Sequence, residues 1–333
     1  MRYSKFIFAA IIYTVFAVYL YQPYLKNFNT LQYLLPVNLC LSALGCYVLS
    51  RRWVSSFFGS FLAGAIYGFG PFTLGLAKFH PTAGFLTACI PWLFCPAALI
   101  GRTKRRWLSW PLSALPFLAI VFFFQISNHY HLFAVPIQTK LRLGDLAGFI
   151  APLAVAQKGT TLIGFYHVPL IALLMGFAML FAAKRIGVII IFCLGIIPAF
   201  CSSFYHVSPV MWLTVSVLIC SVLVGVGTQA LALAGYADRK WILFSAVASG
   251  TLSIVTLLLA TKYFEVFAGL GKSAARLLAE SAKMYILGAI TAVIIFFMVR
   301  AKLRATLLRW ILLLSAIAVD IFLGARFIID RIL

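Results

Sequence analysis

Residues 209–234 read PVMWLTVSVLICSVLVGVGTQALALA, 26 positions without one charged side chain. Wound as an α-helix, this run measures about 39 Å, more than the roughly 30 Å of a bilayer's hydrocarbon core. It predicts a membrane-spanning helix. The rest of the chain has the same character. Of 333 residues, 64% are hydrophobic and only 10% charged, with a mean hydropathy of +1.07. That leaves too few polar side chains to coat a water-soluble surface, whereas lipid tails solvate an apolar exterior.

Ten further apolar runs are long enough to read as spans: 6–22, 32–50, 54–76, 83–100, 108–126, 161–183, 186–201, 241–260, 284–299 and 306–325. The fold class is therefore all-α, a polytopic transmembrane bundle of about 11 helices forming one unit over residues 1–333. Arg2 and Lys5 precede the first run and no small-residue cleavage site follows it, which predicts an uncleaved first helix. Pro198 shortens the segment 186–201, and Pro71 is expected to end or kink the helix that carries it.

The net charge of +21 comes from 27 Lys plus Arg against six acids. The basic residues stand at the ends of the predicted helices, so they read as topological signals and lipid-headgroup contacts. They do not read as a nucleic-acid footprint. With the N-terminus cytoplasmic, 16 of the 27 fall on the cytoplasmic side, among them Arg51, Arg52, Arg102, Lys104, Arg105, Arg106, Lys184, Arg185, Arg239 and Lys240. The short loops on the other side carry almost none. This is the positive-inside pattern of a plasma or inner membrane protein, and eleven spans put the C-terminus outside.

Two outer segments are long. Within 127–160, the run 141–156 is too short and too punctuated by Gly and Pro to span, which predicts a re-entrant or interfacial roof over the bundle. Residues 261–283 place Leu277 and Leu278 among Lys272, Arg276, Glu280 and Lys283, the pattern of an interfacial amphipathic segment. The GlyLysSer at 271–273 lacks the earlier glycine and the strand of a phosphate-binding loop.

All five histidines, His80, His129, His131, His167 and His206, fall on the outer side of this topology. Two sit in echoed strings, PheTyrHisValPro at 165–169 and PheTyrHisValSerPro at 204–209. Such residues serve either as headgroup anchors or as the polar lining of a ligand pocket. No acid or Cys completes a metal shell around His129 and His131, and the seven cysteines form no CxxC pair. No metal or cofactor is predicted. Gly64-x-x-x-Gly68 reads as close helix packing, within the molecule ahead of a dimer seam. Asp320, an acid inside a predicted span, calls for a pairing partner.

Between residues 34 and 99, a helix ends in TyrValLeuSerArgArg at 47–52 and a glycine-rich helix follows. TyrGlyPheGlyProPhe at 67–72, His80 and a helix bearing Pro91 come next. This order resembles the GT-C class of multi-spanning membrane glycosyltransferases and the bacterial YfhO-like proteins. Gly144, Asp145 and Leu146, with Pro152 and Tyr166, are similar to a later outer loop of that class. The resemblance implies a GT-C-like bundle that handles a polyprenyl-phosphate-linked sugar or lipid at an outer-face pocket. Asp145, the acid of that outer region, is the candidate to take the catalytic role, and His80, His129, His131, Lys140, Arg142, His167 and His206 are the candidate substrate-binding residues. The class carries an acid in its first outer loop. Here that loop, 21–30, has none, which favours a non-catalytic relative. The other readings are a membrane assembly subunit with a membrane-protein partner, and a lipid or small-molecule transporter or flippase.

Overall fold

The computed structural model describes residues 3–79, 81–101, 106–130, 170–183, 185–201, 205, 207–266, 272–303 and 305–332. Among them the regular structure is entirely helical. In chain order the helices are α1 (Tyr3–Tyr21), α2 (Leu34–Ser50), α3 (Phe57–Phe69), α4 (Pro71–Phe79), α5 (Pro81–Ile100), α6 (Ser109–Ser113) and α7 (Leu115–His129). They continue with α8 (Leu170–Ala182), α9 (Ile186–Ile196), α10 (Pro209–Leu233), α11 (Arg239–Val266), α12 (Lys272–Arg300) and α13 (Thr306–Ile332). Among the described residues seven stretches are long and apolar enough to cross a membrane: Tyr3–Tyr21, Phe57–Leu76, Thr82–Ile100, Pro209–Leu233, Tyr236–Thr261, Leu278–Arg300 and Thr306–Arg326. Four more apolar helices, α2, α7, α8 and α9, are shorter.

Local chemistry explains the breaks. Ser56 caps α3, its Oγ accepting from the Gly59 N–H at 3.1 Å. Pro71 has no N–H to continue that helix, so α3 stops at Phe69 and α4 starts at the proline. Pro198 likewise turns the end of α9 into a 3-10 turn over Ile197–Phe200. The span read at 108–126 divides into α6 and α7, with Pro116 in the first turn of α7.

The segment 261–283, expected to be interfacial and amphipathic, is helical at both ends. Its ends belong to two long helices, since α11 continues to Val266 and α12 begins at Lys272. Good helix formers from Ala274 to Lys283 carry the second helix straight into the apolar run. Of the roof expected at 127–160, residues 127–129 are the last turn of α7 and 131–160 lie outside the described residues.

Helix α10 is the hub. Its most apolar window is 89% buried inside the protein, against 22% for α1. It packs on α3, α8 and α9, and glycines set the spacing. A Cβ on Gly59 would lie 2.8 Å from the Gly225 carbonyl, and one on Gly225 would lie 2.6 Å from the Gly59 carbonyl. On another face of α3, a Cβ on Gly68 would meet Leu39 and Ala43 of α2. The small-residue spacing at 64 and 68 is thus spent inside the molecule.

Helices α11 and α12 form a long antiparallel pair that meets the rest mainly through α8 and α13. Ser245, Ser249, Ser253 and Thr256 make a buried stripe down α11, and Ser253 Oγ donates to the Ala282 carbonyl across the seam at 3.4 Å. Small side chains let the two backbones approach. The opposite face of α11 exposes Phe244, Val247, Ile254 and Leu258, as a lipid-facing surface does.

Candidate functional site: a cavity at the basic end of the bundle

The helices alternate in direction, so one end of the bundle gathers the C-terminal ends of α2, α5, α8 and α10 with the starts of α6 and α9. At this end a cavity of about 920 Å³ lies between α2, α5 and α6 on one side and α8, α9 and α10 on the other. The volume falls within the range of small-molecule sites, roughly 300 to 1,000 Å³. Its walls are mostly aliphatic: Ala97 and Ala98 of α5, Met179 and Leu180 of α8, and Leu218, Val222 and Val226 of α10.

The mouth has different chemistry. Trp53, Trp107 and Trp110 line it together with Arg52, Arg185, Gln229 and Asp238. Trp107 is 67% exposed and Trp110 59%, the amphipathic placement tryptophan takes at a membrane–water boundary. Trp110 leans toward α9, where a Cβ on Gly187 would lie 3.6 Å from its ring.

Hydrogen bonds hold the rim in shape. Arg52 donates to the Gly101 carbonyl at 2.9 Å, tying the end of α2 to the end of α5. Arg51 donates to the Ser55 and Ser56 carbonyls at 2.7 and 2.9 Å, closing the turn between α2 and α3. Gln229 of α10 clamps the same turn, accepting from the Ser56 N–H at 3.0 Å and donating to Ser55 Oγ at 2.9 Å. Asp238 accepts from the Gly235 N–H at 2.9 Å and fixes the turn after α10. The mouth is therefore a preorganised ring, with two guanidinium groups and one carboxylate among its charged members.

Close by, Arg309 of α13 is only 6% exposed. It donates to the Ala234 carbonyl at 2.7 Å and the Leu303 carbonyl at 2.9 Å, joining the end of α10 to the turn before α13. In that turn Lys302 has a φ of 55°, and the Leu303 N–H reaches back to Met298 at 3.0 Å, the helix-ending motif in which glycine is usual.

Of the residues proposed for an outer pocket, only His129 lies among those described. It is the exposed last residue of α7, with its ring 4.8 Å from that of Tyr130. Helix α7 carries it away from the basic end, so it does not line the cavity. Asp145, His80, His131, Lys140, Arg142, His167 and His206 lie outside the described residues. Asp320 is buried on α13, and Tyr285 of α12 lies within range of its charge. Among the described residues no three of His, Cys, Asp and Glu come together as a metal-ligand set.

The cavity's rim carried a signal in the sequence. ArgArgTrp occurs twice, at 51–53 and 105–107, and both tryptophans line the mouth. The arginines double as orientation signals, which hides the tryptophan repeated beside them. Comparison with protein-family models, with curated proteins and with solved structures finds no match for this chain.

Proposed function

We propose that the protein is a multi-pass protein of the plasma or inner membrane, with eleven crossings and its basic end in the cytoplasm, that holds a membrane lipid in the cavity at that end. The single observation that carries this reading is the cavity itself, apolar within and cationic and aromatic at the mouth. Its apolar walls offer water few hydrogen bonds, so water fills it poorly. Leaving it empty forfeits the dispersion contacts of every lining side chain. A lipid from the surrounding leaflet meets both demands, with an acyl chain inside and a headgroup at the rim.

The reading is one of binding and positioning. The group-transfer chemistry implied by the GT-C resemblance belongs to Asp145 and the outer loop around it, at the other end of the proposed topology.

Native mass spectrometry of the purified full chain tests the lipid reading. Wild type is expected to keep one lipid through delipidation. Ala183→Trp, which fills the mouth from the end of α8, is expected to lose it. Ala98→Phe fills the cavity from the opposite wall and serves if the first variant does not fold. Retention of the lipid in a folded plugged variant overturns the reading.

A further inference from the structure

We infer that the cavity selects an anionic glycerophospholipid over a zwitterionic one of the same chain length. The inference rests on the lipid reading of the cavity, and three observations on its shape and charge extend that reading.

The first is depth. Lining residues run along α10 between positions 218 and 233, about 22 Å of helix at 1.5 Å per residue. The hydrocarbon part of one leaflet is roughly 15 Å thick, half of the 30 Å core. A slot of this length, starting at the headgroup level, takes an acyl chain lengthwise. A free phosphate or a small polar metabolite leaves most of its wall uncovered.

The second is charge. Among the described lining residues, Arg52 and Arg185 face one carboxylate, that of Asp238, which accepts the Gly235 N–H. Arginine presents a planar fork of donors that matches phosphate oxygens and stays protonated. A headgroup with net negative charge neutralises this excess. A choline headgroup sets a second cation beside the guanidiniums and gains less.

The third is aromatic content. Trp53, Trp107 and Trp110 line the cavity where α2 ends and α6 begins, and tryptophan favours the membrane–water interface, near the glycerol and ester groups. Their indole N–H groups donate and cannot accept, which suits ester and phosphate oxygens. The rim therefore supplies donors and positive charge at one level, directly above an apolar slot.

The test is competitive binding to the detergent-purified full chain, read by native mass spectrometry. The probes are phosphatidylglycerol and phosphatidylcholine with identical acyl chains. Phosphatidylglycerol is expected to win by about tenfold in occupancy. Arg185→Gln removes one rim charge and is expected to reduce that preference at least threefold. Lys302→Gln, a basic residue of the same end that does not line the cavity, is expected to leave it unchanged.

Inorganic phosphate at millimolar concentration is expected not to displace the lipid, and displacement overturns the assignment in favour of a free-anion site. Equal occupancy by the two lipids, lost in Ala183→Trp, overturns the headgroup selectivity and leaves the lipid reading standing. Binding that persists in the plugged variants overturns both. A preference that falls equally in Arg185→Gln and Lys302→Gln assigns it to the general charge of the surface and overturns the inference.

Discussion

At the scale of single residues, Pro91 shows how the bundle repairs a defect in the apolar phase. A proline inside a helix cannot donate to the carbonyl four residues earlier, and for Pro91 that carbonyl belongs to Thr87. The Tyr67 hydroxyl donates to it at 2.8 Å across the interface between α3 and α5, and both residues are buried. Removing the hydroxyl leaves a buried acceptor unpaired, a cost of about 1–3 kcal/mol. Contacts of this kind between membrane helices contribute less, about 0.6 kcal/mol on average, which sets the lower limit. Tyr67→Phe is therefore expected to lower thermal stability in detergent by an amount within those limits. In a Pro91→Ala background the helix supplies its own N–H to Thr87, and the same substitution is expected to cost almost nothing. A double-mutant cycle on melting temperature checks this, and equal costs in the two backgrounds refute it. Pro91 was plain in the sequence. Its compensating tyrosine was not, because 24 positions separate them and only the packing of α3 against α5 brings them together.

At the scale of helices, close approach and open space make opposite demands on glycine. A Cβ on Gly227 of α10 would run into the backbone carbonyl of Ala172 on α8, whereas one on Gly250 of α11 would meet nothing within 4 Å. Gly227→Ala must push two central helices apart, and cores resist such overpacking at about 1–3 kcal/mol. Gly250→Ala adds a methyl on an open face and gains the helix preference of alanine over glycine, about 0.8–1 kcal/mol. Gly227→Ala is thus expected to lower the melting temperature and Gly250→Ala to raise it slightly. Like shifts in both would refute the packing account. The helices themselves were legible because hydropathy is a property of contiguous residues: each of the eleven apolar runs overlaps a helix wherever it is described. Boundaries were legible where a proline breaks the backbone, as at Pro71. They were missed at 261–283, where α11 and α12 each extend beyond the apolar run that signalled them.

At the scale of the whole molecule, the candidate site was the least legible feature, because a cavity is the space left between helices that no one of them encodes. Its walls come from six helices, and its aliphatic members look like every other apolar position in the chain. Only the two ArgArgTrp strings pointed to it, and arginine at a helix end has a second meaning, orientation in the membrane. These two meanings make a joint prediction. Arg51, Arg52, Arg185, Arg239 and Arg300 stand at ends of helices that meet at one face of the bundle, the face the positive-inside rule assigns to the cytoplasm. The unit α6–α7 then carries the chain outward between residues 109 and 129, although neither helix alone has the length of a span. A reporter fused after Arg106 is expected to report the cytoplasm, and one fused after Lys158 the opposite side. The reverse result for both turns the bundle over, so that the cavity opens to the outer leaflet. The same side for both means that α6 and α7 do not cross, which removes one span and reverses every later helix. In that case Arg52 and Arg185 stand on opposite faces, and a cavity they line together has no single leaflet from which to draw its lipid.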